Sequence, residues 1–316
     1  MESCGLGNEQ APVSVLLLAY NHEPYIEESI QGILNQVFDG GIELLIGEDA
    51  SSDQTLKICL KYQSRYPQLI RVLTDEKNVG MHANFRRLWE AARYPYVAFC
   101  EGDDYWSDPY KLQKQVSFLR QHPECSMCGT YTQKVAADEQ GIWKPVGILR
   151  PSVIRETYAF ADLIPEYTFH FSSILLLKNA VTFPDWLQSV YCVDRPLYLL
   201  ATQAGKRAGL IPEITSVYRL HSGGNWSAIS LEKKARNSTD LFHKMREFFE
   251  KEYRDLFNQT LSHILFYYLS EALQRKEFSL ARKLYWQSIA HGKFCCSPAE
   301  SKRRLKVLLR LYLLRR

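Results

Sequence analysis

Apolar residues in the first hundred positions follow two alternating patterns. Residues 13–19, 42–47, 70–73 and 96–100 are short, nearly continuous apolar runs, the pattern of strands buried on both faces. Between them apolar residues recur at helical spacing. Ile26, Ile30, Ile33, Leu34 and Val37 mark a first helix, and Phe85, Leu88, Trp89 and Ala92 mark another over about 82–93. Pro24 suits a first helical turn, Glu27 and Glu28 lie near its positive end, and Gly40-Gly41 close the unit. A further helix runs from the polar turn at 51–53 to about residue 65, where Pro67 stops it. Strands alternating with amphipathic helices predict βαβ units and a mostly parallel sheet.

The second half is less regular. Residues 172–177 read as a strand, 194–204 as a short helix and 209–218 as an extended segment, and from 231 the pattern is helical to the end. The expected organisation is an α/β domain over 11–230 followed by a helical extension over 231–316.

Polar residues gather where the predicted strands end. Tyr20, Asn21 and His22 follow the first strand, Glu48, Asp49 and Asp53 the second, and Glu101, Asp103 and Asp104 the fourth. Open α/β sheets bind ligands beyond the carboxyl ends of their strands, so these groups should share one acidic crevice. Glu101-Gly102-Asp103-Asp104 places three carboxylates in four residues. Acids packed so tightly repel one another unless a cation is present, and Mg²⁺ or Mn²⁺ takes carboxylate and phosphate oxygens. Such an ion stabilises a diphosphate leaving group. A solvated acidic turn is the plainer alternative, and Asp53 can equally be a helix cap.

Composition narrows the class. With 46% hydrophobic and 23% charged residues the chain is globular rather than disordered, and its net charge of +4 is too small to imply nucleic acid. The dense basic stretch is the tail, where Lys302, Arg303, Arg304, Lys306, Arg310, Arg315 and Arg316 occur without an acid. Residues 1–12 carry no readable signal peptide, and no apolar run approaches the roughly 20 residues that span a bilayer. A cytoplasmic location with reduced thiols is therefore expected. Cys125-x-x-Cys128 has no second pair at zinc spacing, and Cys295 and Cys296 are adjacent.

Four segments, in order and spacing, resemble family 2 glycosyltransferases. They are Val13 to Asn21, Gly47-Glu-Asp-Ala-Ser-Ser-Asp-Gln-Thr55, Asn78-Val-Gly80 with Asn84, and Glu101-Gly-Asp-Asp104 with Lys111, Leu112 and Gln115. The resemblance covers about residues 12–225. It implies a GT-A fold, inverting transfer from a nucleotide-diphosphate sugar, and Mn²⁺ or Mg²⁺ as cofactor. It also implies donor contacts from Ala19, Tyr20, Asn21, Glu48, Asp49, Asn84, Glu101 and Asp103, and metal contacts from Asp103 and Asp104. Glu101 stands where the family carries the first acid of its Asp-x-Asp motif. Tyr218-Arg219-Leu220-His221, followed by a glycine-rich loop, resembles a later family segment. Arg219 and Trp226 are expected at the donor, and His221 at the metal. Asn225-Trp226-Ser227 is formally a glycosylation acceptor, without meaning unless the chain is secreted.

Inversion needs a base for the acceptor hydroxyl. Asp194, in Cys192-Val-Asp-Arg-Pro196, aligns with the family's acid, although the preceding Glu is absent; a helix cap before Pro196 is the competing role. By family habit the acceptor is a glycan or lipid-linked saccharide. The tail has Leu305, Leu308, Leu309 and Tyr312 at helical spacing. It fits an anionic membrane surface, or packing on the catalytic domain or a second copy of the chain. A metal-dependent phosphohydrolase or nucleotidyltransferase, and a non-catalytic nucleotide-sugar-binding protein, are the alternative classes.

Overall fold

The computed structural model describes residues 11–221, 223, 224, 226 and 228–292. The basic tail, the adjacent cysteines and two positions of the 225–227 triplet lie outside the described residues. The chain forms two compact units. One holds the residues up to Gln188 together with Val193–His221; the other holds Ser189–Cys192 and the residues after His221.

The first unit begins with the expected alternation: β1 Val13–Ala19, α1 Ile26–Leu34, β2 Ile42–Glu48, α2 Thr55–Arg65, β3 Ile70–Leu73, α3 Met81–Ala91 and β4 Tyr96–Glu101. It continues with β5 Tyr105–Trp106, α4 Lys111–Gln121, β6 Cys125–Ala137, β7 Trp143–Leu149 and β8 Thr157–Tyr158. Then come α5 Phe160–Leu163, β9 Leu175–Leu177, α6 Asp194–Ala201 and β10 Arg207–Leu220. Strand order is β3-β2-β1-β4-β9-β6-β10-β5, with β7 on β6 and β8 on β10. β1 to β4 pair in parallel, as do β6 and β10, while β9 runs antiparallel to β4 and β6.

The core explains the apolar runs. Val13, Val15 and Leu17 are fully buried, and so is Leu16 on the opposite face of β1. Helices cover both faces, so no polar alternation is needed. Ile26, Ile30 and Ile33 put one stripe of α1 into the core. Ser14 is tolerated in buried β1 because its hydroxyl donates to Glu43 at 2.6 Å.

Two expectations are refined. The strand expected over 172–177 is a 3₁₀ turn, Phe171–Ser173, followed by the short antiparallel β9. β6 had no counterpart in the sequence pattern. Cys125 and Cys128 lie on it as buried free thiols.

In the second unit the helical pattern resolves into α7 Leu231–Phe248, α8 Arg254–Gln274 and α9 Phe278–Gly292. Ser230 caps α7, its hydroxyl accepting from Lys233 N at 3.3 Å. Among the described residues no helix is long and apolar enough to cross a membrane.

Candidate functional site: an acidic crevice at the ends of β1, β2 and β4

The chain steps outward from β1 to β2 and β3, then returns to place β4 on the other flank of β1. That reversal opens a crevice at the carboxyl ends of the strands. Three turns line it.

The turns after β1 and β2 are laced together. Asn21 N donates to Ser51 Oγ at 2.9 Å, and Ser52 N donates to Asn21 Oδ1 at 2.9 Å. His22 N donates to Thr55 Oγ1 at 2.8 Å and Glu23 N to Asp53 Oδ2 at 3.0 Å. Asp53 Oδ1 also accepts from Thr55 N at 2.9 Å, while Gln54 occupies the cap position of α2 without a side-chain cap bond. Asn21 and Ala50 both hold φ of +54°, in the left-handed region. Each costs on the order of 1 kcal/mol, and the lacing holds them there.

The expected donor contacts divide by location. Ala19 is buried at the strand end and Tyr20, next to it, is exposed. Glu48 is buried and accepts from Ala50 N, Ser51 N and Thr74 Oγ1 at 3.2, 2.8 and 2.9 Å. Asp49 receives Val79 N at 2.7 Å and Gly80 N at 3.0 Å, tying β2 to the loop before α3. Asn84 donates to Gly47 O at 2.7 Å and accepts from Arg87 at 2.8 Å. Glu48 thus spends its carboxylate on the neighbouring turns, and Asn84 its amide on β2 and α3.

After β4, the acidic turn presses against β1 and α1. Gly102 N donates to Leu18 O at 2.8 Å, and Ser29 Oγ reaches the carbonyls of Gly102, at 2.9 Å, and Asp104. A Cβ on Gly102 would lie 2.6 Å from His22 Nδ1 and 2.9 Å from Leu18 O, so only glycine fits.

Asp103 and Asp104 point into different groups. Asp103 Oδ2 lies 3.0 Å from His221 Nε2 and 3.8 Å from His22 Nε2. Asp104 accepts from Ser172 Oγ at 3.0 Å and Arg219 N at 3.1 Å, with His170 Nδ1 at 3.6 Å. Glu101 Oε2 is 3.9 Å from His170 Nε2. Of the expected metal set, Asp103 and His221 come together, and Asp104 stands with Glu101 and His170. Those three offer one ligand atom each, all within 4.8 Å. A divalent cation with bonds of roughly 2.1 Å fits after slight contraction.

Asp194 opens α6. Val193 occupies the cap position without a side-chain cap bond, and Asp194 Oδ1 accepts from Arg195 N at 2.8 Å. Burial, then the Asp194 charge, raises the Tyr167 phenol well above its ordinary range. Trp226 belongs to the second unit, where its ring lies 5.7 Å from that of Tyr191.

The sequence model described as "Glycosyl transferase family 2" matches residues 14–181, which include β1 to β4 and the whole acidic turn. The chain belongs to this family. The chain is 33% identical over 224 residues to the Mycobacterium tuberculosis protein Rv1520, covering 70% of this chain and 62% of that one. The match thus spans about three fifths of the relative's length. Two solved structures share its fold. The Staphylococcus aureus TarS 1–349 complex with UDP-GlcNAc has a TM-score of 0.63 at 18% identity, covering 89% of this chain and 81% of that one. The Pyrobaculum calidifontis mannosyltransferase PcManGT, with GDP-Man and Mn²⁺, has a TM-score of 0.59 at 15% identity, covering 92% and 89%. The GT-A expectation agrees with both.

Electrostatics at the site follow from burial. Desolvation, then Asp103 and Asp194, push the Glu101 carboxyl up to about 8, although its side chain is 38% exposed at the crevice mouth. Burial, then Asp103 and Glu101, raise Asp104 well above the carboxylate range, against the pull of Arg219 N and Ser172. Burial also disfavours ionised Asp103, but the His221 hydrogen bond and the charges of His22 and His221 hold it low. Burial lowers His170 to about 4, against Asp194 and Asp103.

His170 and Tyr167 had no place in the sequence reading. His170 lies between two buried phenylalanines, and nothing in its periodicity separates it from core. Only the fold brings it to the end of β4.

Proposed function

We propose that the chain transfers a sugar with inversion, from a nucleotide-diphosphate donor to a saccharide or lipid-linked acceptor. The reading rests chiefly on Asp194. Its carboxylate opens a helix and lies near enough to Glu101 and Tyr167 to raise both groups.

Ala19, Tyr20, Asn21 and Asp49 border the nucleoside end of the donor, and Glu101 and Asp103 the ribose and diphosphate. Asp194 accepts the proton of the acceptor hydroxyl as its oxygen attacks the anomeric carbon, opposite the departing diphosphate. Asp103 with His221, and Glu101, Asp104 and His170 beside them, are the groups that would hold Mn²⁺ or Mg²⁺. The raised Glu101 and Asp104 are the acids such an ion would compensate. When bound, the ion neutralises the diphosphate as it leaves.

Donor screening by mass spectrometry, with UDP-, GDP- and dTDP-sugars and Mn²⁺ or Mg²⁺, tests the reaction class. Asp194→Asn should abolish transfer while leaving nucleotide affinity within about threefold of wild type. Surviving transfer with only stability lost would make Asp194 a cap. The basic tail is our candidate for contact with an anionic membrane. Salt-sensitive liposome flotation that disappears on truncation near Ser301 is expected, and flotation without the tail would dismiss it.

A further inference from the structure

An arginine two residues before a histidine, ahead of a glycine-rich loop, reads from sequence as a ligand for the donor's diphosphate. The surroundings of Arg219 point elsewhere. The residue is 4% exposed. Its Nη1 donates to the Asp103 carbonyl at 2.7 Å, and its Nη2 is paired with the Glu28 carboxylate. Its backbone N donates to Asp104 Oδ1 at 3.1 Å. The guanidinium carbon lies 4.5 Å from the centre of the Tyr105 ring, 5.3 Å from Tyr25 and 5.9 Å from Trp143.

We infer that Arg219 is a positioning residue that latches the acidic turn to α1 and β10. It acts through Asp103 and does not touch the donor. A diphosphate needs reachable N–H groups, and here both terminal nitrogens are engaged inside a three-ring cage. Three elements meet at this one residue, through its guanidinium and its backbone N–H. β10 carries it, α1 supplies Glu28, and the turn after β4 supplies the Asp103 carbonyl and the Asp104 carboxylate. The carbonyl fixes the peptide plane from which the Asp103 carboxylate reaches His221.

Lysine cannot substitute. The planar guanidinium stacks on rings while donating along separate directions to a carbonyl and a carboxylate. An ammonium is a single point of charge, so it gives up either the Asp103 carbonyl or Glu28. The inference rests on the assignment of Asp103 to the donor side of the proposed reaction, but one arm of its test does not.

That arm is amide hydrogen exchange of the full-length chain without ligand. In Arg219→Lys, exchange at residues 102–106 should rise at least tenfold, with α8 unchanged. The second arm is titration with UDP, GDP and dTDP. The nucleotide that binds wild type should bind Arg219→Lys within about threefold, while turnover of its sugar falls about a hundredfold with KM little changed. Unchanged exchange in the turn would overturn the latch. So would a tenfold or greater loss of nucleotide affinity without added exchange, which would make Arg219 a direct ligand. If Arg219→Lys loosens the whole first unit, Glu28→Gln decides. A smaller rise confined to the same turn supports the latch, and no rise overturns it. If no nucleotide binds wild type, the donor reading fails while the exchange arm still judges Arg219.

Discussion

Asp103 and Asp104 are neighbours in sequence and opposites in charge behaviour. Asp103 is held ionised by two imidazoles, while Asp104 is buried among other acids and raised. The ionised member is the one suited to a metal-bound diphosphate. Asp103→Asn should therefore lower transfer at least a hundredfold in initial-rate assays, with the thermal midpoint close to wild type. Full turnover in EDTA, or in the Asn variant, would refute the metal's part. Removing the same charge also removes one source of the Glu101 shift, so the two carboxyls are not independent and their substitutions should not add.

At the scale of elements, the site depends on how closely β1, α1 and the turn after β4 approach. Gly102→Ala introduces a Cβ against the His22 ring and the Leu18 carbonyl, and the carbonyl belongs to β1. It should lower stability by about 1–3 kcal/mol in urea titrations and reduce transfer further than stability accounts for. Wild-type behaviour would show the approach to be slack. The elements that build this edge were legible because each carries its own periodicity: β1, β2 and β4 are apolar runs, and α1 and α3 are amphipathic. β6 was not legible. Its Thr130 and Thr132 are buried against Thr215 and Ser216 of β10, at 2.7 and 2.9 Å between hydroxyls. A strand satisfied by a distant polar partner leaves no apolar run to find. Asn84 and Arg219 stood out as polar motif residues. Sequence could not say whether they face a ligand or another turn.

Across the whole molecule, burial governs how stability responds to pH. Lys111 is fully buried behind the acidic turn, its ammonium donating to Gln115 Oε1 at 2.6 Å and lying 4.2 Å from the Trp106 ring centre. Burial lowers it from 10.5 to about 7. Between those values the unfolded chain holds the extra proton, so this group's contribution to stability rises with pH across that window. At pH 7 the cost of the buried charge is nearly complete. Lys111→Met should raise the urea midpoint relative to wild type at pH 7, and the gap should narrow by pH 9. A gap independent of pH would mean the lysine does not titrate there. The laced turns after β1 and β2 carry a different consequence. Asn21 and Ala50 are already fixed in an unfavourable conformation, so the loss of loop entropy falls on folding and not on ligand capture. Mutations that relax the lace would then show as weaker affinity with a larger entropic penalty, together with a modest fall in melting temperature, because the lace outweighs the strain it holds.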